Sequence, residues 1–294
     1  MTIDEALRPV EGSKPGSSPF PDMPTFQLDI LSLPSSTQRR ERMAAMLDGA
    51  GIENWRFFDA VPPEECLLPY DEAAAFKAYG STLSRAEISC AASHIGIIER
   101  FVREGDADYL VVFEDDIVID PTLNIAGYLQ IMQLAGIEYM KMYARFFVPA
   151  RFITSFNRFV LYRFLFPPLG TQAYILSRKG ARAMLDGFVR HGSIDMPIDQ
   201  LMDCHERAVL PIYTIYPFQV MELNVPTTIH DAANVESKEA RNRMLMASGP
   251  SAPRRFELLE KFVRKYRNMR MERIDRQTRD AIKQMLTDLG SIRL

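Results

Sequence analysis

Cysteine is scarce and odd in number. Cys66, Cys90 and Cys204 lie far apart and form neither a disulfide framework nor a metal-spacing motif. They read as reduced thiols, and the expected location is cytoplasmic. No stretch approaches the roughly 20 uninterrupted apolar residues of a spanning helix. Met1 to Pro24 carries acidic residues early and has no apolar core, so no secretory signal is expected there. A net charge of −3 lacks the basic excess of a nucleic-acid binder. Carboxylates are missing from one long stretch, Tyr139 to Leu185, which carries Lys141, Arg145, Arg151, Arg158, Arg163, Arg178, Lys179 and Arg182. Its aromatic residues crowd between Tyr143 and Phe166. A surface of that kind suits an anionic, amphiphilic partner, and no nucleic-acid motif accompanies it. The other reading is a pair of core strands with a basic edge.

What is present is ordinary in bulk. The 294 residues, 47% apolar and 25% charged, suit one large α/β domain or a domain with an appendage. Pro9 to Pro24, rich in Pro, Gly and Ser, reads as part of a disordered arm over residues 1–24. Order is expected from Phe26, with a strand to Leu33 and a turn at Pro34–Thr37. A helix follows, with Met43, Met46, Leu47 and Ala50 at helical spacing and Gly49 or Gly51 closing it. Trp55 to Ala60 reads as a second, short strand. Ser84 and Glu87 form a capping box, each satisfying an amide of the other at a helix start. Ile88, Ala91, Ala92, Ile95 and Ile98 give that helix a core-facing stripe up to Gly105. Strand, helix, strand, helix, strand predicts a mostly parallel sheet flanked by helices.

The next strand carries the chemistry. Tyr109-Leu110-Val111-Val112-Phe113 is apolar at every position, the pattern of a strand covered on both faces. Glu114-Asp115-Asp116 follows directly, at the strand end where open α/β sheets build their binding crevice. Residues two apart on an extended segment share a face, so Glu114 and Asp116 can converge on one ligand. Carboxylates this close repel each other unless a cation sits between them, and oxygen ligands suit Mg²⁺ or Mn²⁺ shared with phosphates. A solvated acidic turn is the plain alternative. Arg39 and Arg40, opening the first helix at the mouth of the sheet, can meet a diphosphate or line a solvated first turn.

Leu31-Ser32-Leu33, Arg39-Arg40, Phe57-Phe58-Asp59-Ala60, Leu83 to His94 and Glu114-Asp115-Asp116 occur in the order seen in glycosyltransferase family 25, which this chain resembles. Gly170-Thr171-Gln172-Ala173-Tyr174-Ile175-Leu176-Ser177 and Pro197-Ile198-Asp199 extend the resemblance, which covers roughly residues 26–230. Ala86 and Ser89 stand where the family commonly has Gly. The resemblance implies a GT-A-like nucleotide-sugar-binding domain, set here at residues 25–235. It also implies a metal-dependent inverting transfer of galactose from UDP-galactose to a lipopolysaccharide or lipooligosaccharide core.

Such chemistry needs a metal carboxylate, a base carboxylate and phosphate-facing cations. Asp116 is the first choice for Mn²⁺ or Mg²⁺, with Glu114 or Asp115 touching the ion's water shell or the ribose. Leu33 and Arg40 are expected at the donor. Asp199 is the expected base or acceptor contact, although Pro197 before it also suits a favourable charge in a helix first turn. His94 is either functional or a satisfied core histidine. Glu87 is a cap that can also hold a sugar hydroxyl. His230 is a candidate late metal or phosphate ligand, or simply structural.

The C-terminal part, Pro253 to Leu289, reads as one or two long helices within an extension over residues 236–294. Its Arg and Lys outnumber its acids up to Arg279, which suits an anionic membrane surface at the inner face of a bacterial inner membrane. Packing on the domain or pairing with a second subunit are the alternatives. Two rival functions stand: a transferase of the same fold with another donor or a capsule or protein-glycan acceptor, and a non-catalytic membrane-surface binder.

Overall fold

A computed structural model describes residues 23–146, 148–203, 210–223, 235, 236, 238, 239 and 272–284. His230, and all of the basic C-terminal segment before residue 272, lie outside them.

The chain opens with β1 (Phe26–Ser32), α1 (Thr37–Gly49) and β2 (Trp55–Asp59), as the sequence pattern predicts. A short 3-10 turn (Pro63–Glu65) and α2 (Glu72–Tyr79) lead to α3 (Arg85–Glu104). Both halves of the predicted capping box form: the Glu87 amide donates to Ser84 Oγ, and the Ser84 amide donates to the Glu87 carboxylate. Next come β3 (Tyr109–Glu114), β4 (Ile117–Ile119), α4 (Ile125–Ala135) and β5 (Tyr139–Lys141). The carboxylate-free stretch supplies a hairpin, β6 (Ala150–Phe156) with β7 (Phe159–Phe164), then β8 (Ala173–Ser177) and the first turns of α5 (Arg178–His191). Finally α6 (Ile198–Asp203), β9 (Ile212–Tyr216) and β10 (Val220–Glu222) follow.

Eight strands form one sheet in the order β2-β1-β3-β8-β5-β9-β7-β6. Parallel pairs join β2-β1, β1-β3 and β5-β9, and the other pairs are antiparallel. Propagating those pairings leaves β7 and β8 running against six strands that share one direction. The α/β fold with a mostly parallel sheet and flanking helices is therefore present. β4 and β10 make a separate two-stranded ribbon beside it.

The continuous apolar run of β3 is explained by two cores. Val111 and Phe113 join Leu28 and Ile30 of β1, Met43 and Leu47 of α1, and the buried face of α4. Leu110 and Val112 join the opposite core, with Ile88, Ala91, Ile95 and Ile98 of α3, and Ala181 and Met184 of α5. A strand covered on both faces has no solvent side and hence no alternation. A helical stretch at 272–284 also reaches the first core through Ile282, while its Asp275 pairs with Arg163 of β7.

Most cations of the carboxylate-free stretch are taken up by acids from elsewhere in the chain. Lys141 pairs with Asp203, Arg145 with Glu222, Arg151 with Glu272 and Asp275, Arg163 with Asp275, and Lys179 with Glu138. Arg178 donates to the carbonyls of Ala107 and Phe101. These pairings favour the second reading of the stretch, core strands with a basic edge, for the cations they involve.

Candidate active site

β3 ends at Glu114 and the chain turns through Asp115 and Asp116 before β4. Two cavities meet there. The smaller, about 400 Å³, lies between the end of β1, the start of α1 and the first turns of α3, with Leu33 and Arg39 in its wall. The larger, about 840 Å³, is bounded by Glu87, Arg145, Gly170, Thr171, Gln172, Asp199 and Glu222. Cys90, Glu114 and Asp116 belong to both walls. The acidic pair predicted to share a face is therefore the partition between the two spaces.

The three carboxylates have different surroundings. Asp115 is buried and accepts from Ser32 Oγ at 2.6 Å and from Arg39 Nη1 at 3.0 Å, while Arg42 donates to its carbonyl. Its charge is thus spent on joining β1, α1 and β3. Glu114 accepts from Thr171 Oγ1 at 2.6 Å. His94 Nε2 stands 3.3 Å from the same oxygen. Burial pushes Glu114 up, yet His94, Thr171 and Arg145 together hold it below the usual carboxylate range.

Asp116 goes the other way. Burial, then the charges of Glu114, Asp115 and Glu222, raise its carboxyl to about 7. Its Oδ1 is buried with no hydrogen-bond partner among the described residues. An unpaired buried carboxylate oxygen beside three other acids is a position that a proton or a cation would satisfy. Among the described residues no group of three or more His, Cys, Asp and Glu is arranged around a metal position. The residues that could hold a hard divalent ion are Asp116, through its unpaired oxygen, and Glu114 beside it, and such an ion would need phosphate and water to complete its shell.

Asp199 sits in the first turn of α6. Its Oδ1 accepts from the Gln200 amide at 2.8 Å and its Oδ2 from the Gly170 amide at 3.2 Å, on the wall of the larger cavity. Gly170 and Leu169 both adopt positive φ, +79° and +56°. Lys141 Nζ donates to Gly170 O at 2.5 Å, and Asp203 accepts from the Leu169 amide at 2.9 Å. This turn carries Thr171 to Glu114 and Gly170 to Asp199.

Other expected residues are placed less directly. Arg40 donates to Ser32 O and Oγ and pairs with Asp59, so Arg39 rather than Arg40 reaches the cavity wall. His94 is fully buried, with Nδ1 3.1 Å from Tyr174 OH, and reaches the site through Glu114. Glu87 is both the cap of α3 and the partner of Lys238 Nζ at 2.9 Å. Burial raises its carboxyl, but the Ser84 amide and Lys238 outweigh that and hold it low. Arg145, Glu222, Lys141 and Asp203 were not singled out for the site by sequence reasoning. No local pattern marks them, because their partners lie tens of residues away.

A family profile described as Glycosyltransferase family 25 (LPS biosynthesis protein) matches residues 27–202, more than half of the chain. The chain belongs to glycosyltransferase family 25. The lacto-N-neotetraose biosynthesis glycosyltransferase LgtB of Neisseria gonorrhoeae is 28% identical over 222 residues, covering 68% of each chain. LgtE of the same organism is 29% identical over 215 residues, covering 65% of this chain and 72% of its own. Among solved structures, a glycosyltransferase involved in the glycosylation of the major capsid of PBCV-1 overlays with a TM-score of 0.42 at 9% identity. It covers 76% of this chain and 100% of that one.

In this glycosyltransferase of the LPS-biosynthesis family, the profile takes in Glu114, Asp116 and Asp199 and stops before β10, which carries Glu222. Among the described residues no helix is long and apolar enough to cross a membrane.

Proposed function

We propose that this transferase moves a hexose, galactose from UDP-galactose, onto a lipopolysaccharide or lipooligosaccharide core, by metal-dependent displacement with inversion. The observation that carries the reading is Asp116, a carboxylate with an unpaired buried oxygen at the junction of two cavities. A two-substrate transfer needs a space for each substrate and a charged contact where they meet. In this reading the nucleotide diphosphate occupies the smaller cavity and the acceptor sugar the larger. The relatives named for lacto-N-neotetraose biosynthesis support an oligosaccharide as the molecule being built, and the galactose donor rests on the family resemblance. In this reading the acceptor is assembled on lipid, and the enzyme works at the inner face of the bacterial inner membrane.

Asp116 would hold Mn²⁺ or Mg²⁺ through its unpaired oxygen, with Glu114 facing the ion's water shell. A divalent ion bound there supplies Lewis-acid neutralisation of the departing diphosphate. Asp199 accepts the proton of the attacking acceptor hydroxyl, and its two backbone amide donors hold the carboxylate oriented while leaving lone pairs for that proton. The acceptor oxygen forms its bond to the anomeric carbon as the bond from that carbon to the phosphate oxygen breaks. The electron pair leaves with UDP. Glu114, held ionised by Thr171 and His94, favours positive charge at the sugar as the bond breaks.

The test is release of UDP from a panel of UDP-sugars, with and without a lipooligosaccharide acceptor, after chelation and after Mn²⁺ is restored. Loss in chelator and recovery with Mn²⁺, with UDP-galactose turned over fastest, is the expected result. Full activity in chelator overturns the metal role, and a faster donor other than UDP-galactose overturns the sugar assignment.

A further inference from the structure

Gln172 is 4% exposed, and its Oε1 has no hydrogen-bond partner among the described residues. A buried amide oxygen left unpaired is destabilising, so the position is not explained as packing. Gln172 lines the larger cavity. Its backbone carbonyl accepts from the Glu114 amide at 2.9 Å, which fixes it beside the partition. A Cβ added to Gly170 would stand 2.6 Å from Gln172 Oε1, so the amide lies over Gly170. That glycine donates in turn to Asp199. Gln172 therefore stands between the carboxylate at the partition and the carboxylate assigned to the acceptor.

The turn that carries it is fixed from behind by the wholly buried pair Lys141–Asp203, through Gly170 O and the Leu169 amide. The side-chain amide is thus a neutral donor and acceptor on a rigid base. A sugar hydroxyl both donates and accepts, and it matches a primary amide on both counts. The anomeric carbon must lie between the diphosphate at Asp116 and the attacking hydroxyl at Asp199, so the transferred ring passes Gln172. We infer that Gln172 is a specificity-determining residue that hydrogen-bonds one ring hydroxyl of the transferred hexose, an inference resting on the nucleotide-sugar reading above.

The experiment compares kcat/KM of the wild type and Gln172→Met on the preferred UDP-hexose and on its deoxy analogues, each lacking one ring hydroxyl. In the wild type one analogue falls by about ten- to a hundredfold, because the amide is left unpaired. Gln172→Met falls by a similar factor on the parent donor and shows no further loss on that analogue. Its thermal midpoint is no lower than that of the wild type, since Met keeps the volume and removes an unpaired polar group. Gln172→Leu serves the same comparison if the Met variant does not fold. Unchanged kcat/KM in the variant, or an equal loss on every analogue, overturns the inference. If the wild type transfers from no UDP-hexose, the nucleotide-sugar reading itself fails and the inference falls with it.

Discussion

Lys141 and Asp203 pair at 2.6 Å with both side chains fully buried, directly behind the turn that joins Glu114 to Asp199. Tyr139 OH and the Leu169 amide complete the shell of the carboxylate. Breaking such a pair leaves an uncompensated buried charge, which costs about 3–5 kcal/mol, whereas removing both charges costs far less. Lys141→Met should therefore lose about that much in urea unfolding, and Lys141→Met with Asp203→Asn should regain most of it. A single variant within about 1 kcal/mol of the wild type would show that the pair does not hold the turn.

The raised carboxyl of Asp116 makes a pH-dependent prediction. With its pKa near 7 in the fold against an ordinary 3.8, the folded state favours the protonated form. Its contribution to stability is therefore present at acidic pH and is lost as pH rises toward and through 7. The metal-free protein should then be stabilised by Asp116→Asn at pH 8 and much less at pH 5, read from thermal midpoints. Mn²⁺ should raise the midpoint of the wild type at pH 8 and not that of the variant. Below pH 7 the apparent Mn²⁺ affinity should weaken by about tenfold per unit, because one proton competes for the oxygen. A pH-independent affinity would remove Asp116 from the cation site.

Much of the frame is readable from local pattern. The unbroken apolar run Tyr109–Phe113 announces a strand between two cores, and the Ser84–Glu87 box marks the start of α3 to the residue. The acidic triplet also falls where a strand end should open a site. Pairings between distant segments are not readable in this way. Arg39 and Arg40 are adjacent and identical, and only the fold turns one toward the cavity and the other toward Ser32 and Asp59. The basic stretch looked like a surface because its counter-charges Asp203, Glu222, Glu272 and Asp275 lie outside it. Glu222 joins the site through the ribbon β4–β10, a two-stranded pairing with no signature in composition.

The pair Arg163–Asp275 tests whether the helical stretch at 272–284 belongs to the folded core. The guanidinium meets the carboxylate through two donors, at 2.5 and 2.8 Å, with both side chains nearly buried. Arg279 Nε adds a bond to Ile153 O, and Ile282 is fully buried. Asp275→Leu should cost about 3–5 kcal/mol by stranding Arg163, and Ile282→Ala about 2–5 kcal/mol by leaving a cavity. Both should unfold in one transition with the rest of the chain when followed by urea titration. A separate early transition would make the stretch an independent appendage.

Asp199 offers the sharpest division between chemistry and binding. Gln200 donates to Oδ1 and Gly170 to Oδ2, so the single oxygen of Asp199→Asn keeps one of these bonds and its NH2 replaces the other acceptor. Beyond that one bond, the variant loses the capacity to accept a proton from the acceptor hydroxyl. General-base removal typically costs about 10²–10⁴ in rate, and the loss should appear in kcat. Donor affinity and the Mn²⁺-induced shift in thermal midpoint should stay close to wild type, because the diphosphate contact is at Asp116. If Asp199→Asn instead raises the donor KM and keeps kcat at saturating donor, the residue binds the sugar and the base must be sought elsewhere on the larger cavity.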